Sequence, residues 1–137
     1  MPSSPPAGYS GTPLPKKLGI KSGSVVALVN APPGFERVLG ELPPGATLKR
    51  QARGRRDLTI WFVRSHMELT AGIKRMASRG EKSGLWIAWA KRTSRLAGDF
   101  GEGEVRANGL AAGLVDFKVC AIDGDWSGLR FSQRASR

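Results

Sequence analysis

Lys49, Arg50, Arg53, Arg55 and Arg56 place five cationic side chains within eight positions, "KRQARGRR". A guanidinium grips a phosphate through two parallel hydrogen bonds, and Gly54 frees the backbone so that two such forks can converge. Arg64, just past the next apolar run, extends the set. The candidate anion-binding residues are therefore Arg50, Arg53, Arg55, Arg56 and Arg64. The alternative is a solvated basic loop with no ligand, which is what most charge runs are. Tyr9, Trp126 and Phe131 are types that stack on exposed bases in single-strand binders, but their spacing builds no platform. Trp126 is expected instead to cap the edge of the core.

His66, the only histidine, follows Ser65 at a predicted helix N-terminus, where the helix dipole disfavours the charged ring and favours a neutral base. It has no evident nucleophile to serve. Cys120 lies inside a predicted strand, and no serine sits in a G-x-S-x-G elbow. Read plainly, His66 is a histidine in a first helical turn. One Cys and one His cannot supply the roughly three or four ligands of a zinc site without distant carboxylates, so no metal is expected. No catalytic residues are assigned.

The elements that must position these groups alternate. Thr12 and Pro13 open a short helix that Gly19 ends. Ser24 to Val29 is an unbroken apolar strand. Asn30, Pro32, Pro33 and Gly34 form a tight structural turn into a brief helix over Phe35, Val38 and Leu39, closed by Gly40. "TLKRQ" is a second strand, Gln51 to Arg56 a loop crossing, and Asp57 to Val63, "DLTIWFV", a central third strand rich in β-branched and aromatic residues. Ser65 and Glu68 have capping-box spacing ahead of a helix that runs to Gly80, and Asp99 and Glu102 repeat it ahead of another over Ala107, Leu110, Ala111 and Leu114. Gly101, Gly103 and Gly109 each weaken that last helix by up to about 1 kcal/mol. Between the two helices lies "GLWIAWA", Gly84 to Ala90, so Trp61, Trp86 and Trp89 read as core. "LVDFKVCAI" is an edge strand, and the "DGDWSG" turn leads to a final strand, "LRFSQ". That turn is too short for a parallel crossover, so the last pair is antiparallel. The fold class is α/β: a small Rossmann-like three-layer sandwich with a mostly parallel sheet and an antiparallel C-terminal hairpin strand.

With 137 residues the chain accommodates one domain, expected over 13–133 with tails at 1–12 and 134–137. Twenty-two Lys and Arg against 11 Asp and Glu give a formal net charge of +11, and the pI is near 10.9. Such a field attracts polyanions. The lone Cys120 forms no internal bridge, the N-terminus lacks signal-peptide regions, and no apolar run reaches the ~20 residues of a membrane span. A cytoplasmic setting without membrane insertion is expected.

The segments "GYSGTPLPKKLGIKSG", "NAPPGF" and "VDFKVCAIDGDWSGLRF" make the chain resemble a bacterial family of uncharacterised proteins, domain-of-unknown-function family 3052, from Gly8 to about Phe131. Pro15 departs from that pattern and shortens or shifts the first helix. That resemblance implies a compact cytoplasmic domain. A looser similarity, carried by "SGLWIAWAK", the following helix, "LVDFKVCAI" and the back-strand, is to class I S-adenosylmethionine-dependent methyltransferases. It implies a strand order of 2-1-3-4-6-5.

In open α/β sheets ligands sit beyond the carboxyl ends of the strands, near the switch in strand order. The residues just past those ends are Asn30, Arg50, Arg64, His66, Lys91 and Arg92, all neutral or cationic. Cofactor enzymes of this shape place a carboxylate about 20 residues after the first turn to hold a ribose diol. Here that stretch reads Lys49, Arg50, Gln51, and Pro32 and Pro33 lack amide hydrogens. The expectation is a non-catalytic domain with no cofactor, whose basic crevice takes an anionic partner, a phosphorylated small molecule or nucleic acid. The alternatives are an enzyme acting on a nucleotide or phosphorylated substrate, with His66 or Asp99 as acid or base, a nucleic-acid binder, and a scaffold docking through "DGDWSGLRF".

Overall fold

The computed structural model describes residues 12–51, 53–79 and 84–133. The expected tails, apart from Thr12, lie outside the described residues. The elements are α1 (Leu14–Leu18), β1 (Val25–Val29), α2 (Phe35–Leu39), β2 (Thr47–Lys49), β3 (Leu58–Val63), α3 (His66–Arg79), β4 (Gly84–Ala90), α4 (Glu102–Ala111), β5 (Leu114–Ala121) and β6 (Trp126–Gln133).

The six strands form one sheet in the order β2-β1-β3-β4-β6-β5. β2, β1, β3 and β4 run parallel, and β6 is inserted antiparallel to both β4 and β5. This is the expected order. Its centre follows from composition: all six residues of β3 and six of the seven in β4 are buried. Unbroken apolar runs have no solvated face and must be covered twice. The β5–β6 turn is short because Asp123 Oδ1 accepts the amides of Asp125 (2.8 Å) and Trp126 (2.9 Å), and such a turn returns the chain antiparallel.

Helices cover both faces. On one side Leu18 of α1 and Phe35 and Leu39 of α2 pack on Leu28, Ile60, Phe62 and Trp86. On the other, Leu69, Ile73 and Met76 of α3 and Val105 of α4 pack on Trp61, Ile87 and Phe131. Trp61, Trp86 and Trp89 are core residues, and the buried Trp86 indole is satisfied by donating to Leu18 O at 2.8 Å. Gly109 lets α4 approach β6: a Cβ there would overlap the Phe131 ring.

Several local expectations are corrected. The Thr12 cap is not made; Pro13 is the N-cap of α1 and makes no side-chain bond. The Asp99–Glu102 box is not formed: Glu104 returns to the Gly101 amide at 2.8 Å, while Asp99 Oδ1 accepts the His66 amide at 2.8 Å and so caps α3. Ser65 Oγ accepts the Glu68 amide, but the Glu68 carboxylate does not reciprocate; it takes the amide of Arg64. The last strand begins at Trp126, earlier than Leu129, because Trp126 pairs with Ala90. Among the described residues no helix is long and apolar enough to cross a membrane.

Candidate functional site

The mouth of the sheet lies at the carboxyl ends of β1 and β3, where the strand order reverses. β1 leaves through Asn30, the only non-glycine among the described residues with positive φ (59°), and the turn closes at Gly34 (φ 80°). Asparagine tolerates the left-handed region and glycine enters it without steric cost. The Phe35 amide donates to Pro32 O at 3.2 Å, so the two prolines stay inside the bend. Beneath it, Phe35 meets Phe62 edge-on (4.8 Å between centroids), and Phe62 meets Trp126 likewise (5.0 Å). That aromatic stack fixes the turn over the sheet.

Two arginines and two carboxylates converge on this turn. Arg50, following β2, donates from Nε and Nη2 to the two carboxylate oxygens of Glu36, each at 2.9 Å. The same guanidinium reaches Ala31 O (3.0 Å) and Pro32 O (3.1 Å). Arg64, following β3, donates to Asn30 O at 2.6 Å and lies over the Trp126 ring at 5.4 Å. Glu68, in the first turn of α3, accepts the Arg64 amide (2.7 Å) and the Asn30 side-chain amide (3.3 Å). The Arg50 hydrogen bond holds the Glu36 carboxyl below the usual carboxylate range, and Glu36 in turn raises the Arg50 guanidinium.

Only Arg50 and Arg64 of the predicted set share this turn. Arg55 pairs with Asp57 at 3.2 Å, and Asp57 accepts the Val25 amide at 2.8 Å, which puts both at the opposite, amino-terminal end of β1 and β3. Arg56 is there too, bonded to Thr59 Oγ1 and Gly54 O. The carbonyl of Arg53 accepts from Lys49 Nζ. "KRQARGRR" thus crosses from one end of the sheet to the other and does not gather into one cluster.

The residues that sequence reasoning missed are Glu36 and Glu68, which reach the mouth from α2 and α3 and do not directly follow strands. Asp99, named as a candidate acid or base, reaches it from the loop before α4 and accepts the His66 amide. The Ser65–Glu68 spacing was the available signal, since a side chain at that position folds back over its helix N-terminus. Lys91 and Arg92 line a cavity of about 260 Å³ with Trp89, Phe100, Glu102 and Ser127. His66 is exposed, and Cys120 is a buried thiol pushed up by desolvation. Among the described residues no group of three or more His, Cys, Asp or Glu could hold a metal ion.

No family model matches the sequence and no curated protein does. Solved structures do. A SAM-dependent methyltransferase from Aquifex aeolicus is 15% identical, with 85% of each chain covered and a TM-score of 0.57. A putative type 11 methyltransferase from Sulfolobus solfataricus is 9% identical over 90% of this chain and 91% of its own, with a TM-score of 0.56. Magnesium protoporphyrin IX methyltransferase from Synechocystis PCC 6803 with bound SAM is 13% identical over 89% and 74%, with a TM-score of 0.52. At these identities the likeness establishes the Rossmann-like methyltransferase fold.

The expectation of a non-catalytic domain with a purely basic crevice is therefore corrected. The solved structures this chain resembles include a SAM-dependent methyltransferase and a methyltransferase with bound SAM. The mouth also holds carboxylates: the Arg50 guanidinium is engaged with Glu36 and the turn carbonyls, the Arg64 guanidinium with Asn30 O, and Glu68 with the Arg64 backbone amide. The readings of a phosphorylated substrate or a nucleic acid rested on the net charge and on "KRQARGRR", which the fold does not gather at the mouth, and the likeness to methyltransferases does not favour them.

Proposed function

We propose that this chain binds S-adenosylmethionine at the β1–β3 mouth and acts as a methyltransferase. The observation supporting this reading is the placement of Glu36 and Glu68 beside Arg50 and Arg64 at the switch in strand order. A zwitterionic nucleoside needs both signs of charge. Glu36, next to the end of β2, is the carboxylate for the ribose diol, the partner the primary structure lacked at Lys49 to Gln51. Arg64 is the cation for the amino-acid carboxylate, and Asn30 with Glu68 takes the ammonium. The turn is a poorer donor than a glycine-rich one, because Pro32 and Pro33 have no N–H while Ala31 and Gly34 do. Side chains therefore do more of the holding here.

When bound, S-adenosylmethionine supplies an electrophilic methyl group on a sulfonium centre. The chain's own part is to fix the two polar ends, so that rotational freedom is lost before the reaction. A reduced, lone Cys120 suits a cytoplasmic setting, and the opening and closing segments support membership of family 3052; both belong to this proposal.

Calorimetric titration with S-adenosylhomocysteine tests it. One-to-one binding is expected, with Kd between about 1 μM and 1 mM, the range in which substrate affinities ordinarily lie, and Glu36→Gln is expected to weaken it ~10-fold or more. Absence of heat at ~1 mM ligand, together with an unshifted melting temperature, overturns the reading.

A further inference from the structure

Arg50 makes four hydrogen bonds, two to Glu36 and one each to Ala31 O and Pro32 O, out of the five N–H donors a guanidinium owns. One side chain thereby ties the end of β2 to α2 and to the turn between β1 and α2. While it does so, the fork fills the two-oxygen edge of the Glu36 carboxylate, one lone pair on each oxygen, and engages two of the carbonyls of the turn. That edge cannot hold the guanidinium fork and a vicinal diol gripped through both hydroxyls at the same time. We propose that Arg50 is a latch across the mouth, which must swing away before a nucleoside diol can reach Glu36. The inference rests on the reading of the mouth as an S-adenosylmethionine site and adds to it the residue that sets affinity.

The latch is built to open. The Arg50 and Glu36 side chains are 42% and 44% exposed, so water and salt compete directly with the pair. A ligand that offers hydroxyls to Glu36 replaces the guanidinium's bonds, and Arg50 is released into solvent. Because only the open population binds, the observed Kd exceeds the intrinsic one by the reciprocal of the open fraction. The prediction is an unusual sign. Salt weakens the latch, so binding of S-adenosylhomocysteine tightens as salt rises, until the ligand's own charges are screened.

Calorimetry of the full chain with S-adenosylhomocysteine at low and high NaCl, on wild type, Arg50→Ala, Arg50→Lys and Glu36→Gln, tests this. Arg50→Ala is expected to bind ~3- to 10-fold tighter than wild type at low salt, as removal of a mostly closed state requires, and to lose the tightening with salt. Arg50→Lys keeps the charge without the fork and falls between them. Glu36→Gln loosens the latch yet binds more weakly, because the diol loses its acceptor. The Arg50 Nε–H resonance, protected in the free protein, is expected to lose protection on saturation. Equal or weaker binding by both Arg50 variants, with wild type binding normally, overturns the latch and leaves the site reading intact. If neither wild type nor the variants bind, the site reading fails and the latch with it.

Discussion

Glu36 and Arg50 illustrate how a residue's role depends on what reaches it. In the amino-acid sequence they stand 14 positions apart, and each is an ordinary exposed charge; across the β1–α2 turn they form a fork with both oxygens engaged. Since Arg50 holds the Glu36 carboxyl below its usual value, the pair persists through the ordinary glutamate range, near pH ~4.3, and is lost as pH falls through the depressed value. A carbon-13 titration of the Glu36 carboxyl is expected to show a lower midpoint in wild type than in Arg50→Ala; equal midpoints would mean that the fork does not form in solution. These acids were illegible beforehand for a geometric reason. Residues directly after strands were the natural candidates, but Glu36 and Glu68 enter from the first turns of helices, whose direction only the fold supplies.

At the scale of elements, β1, β3 and β4 were legible because apolar runs without alternation have one stable environment, the middle of a covered sheet. Caps were not, where the partner is distant: Asp99 bonds the His66 amide 33 positions away, and local spacing assigned it to the wrong helix. The glycines of α4 were legible only as a cost. Gly109 is instead a contact requirement, since a Cβ there would overlap Phe131, whereas Gly103 faces open space. Gly109→Ala is accordingly expected to destabilise by about 1–3 kcal/mol as overpacking does, and Gly103→Ala to stabilise by up to about 1 kcal/mol from helix propensity. Urea unfolding of the two variants checks this, and a stabilising Gly109→Ala would refute the packing of α4 on β6.

For the whole molecule, the alternation of elements and a turn too short for a crossover were enough to expect a mostly parallel sheet with an antiparallel last pair, whereas the place of β6 between β4 and β5 was implied only by the methyltransferase resemblance. Net charge misled. A formal +11 describes the long-range field, whereas the crevice is decided by which charges the fold brings within hydrogen-bond reach, and there Arg50 is paired with Glu36. The most direct test of the account is a titration of the nitrogen-15-labelled protein with S-adenosylhomocysteine, followed by amide chemical shifts. Shifts concentrated at Asn30, Ala31, Gly34, Glu36, Arg50, Arg64 and His66 are predicted. Shifts confined to the Arg53–Asp57 loop or to the β5 edge, or none at saturating ligand, would contradict it.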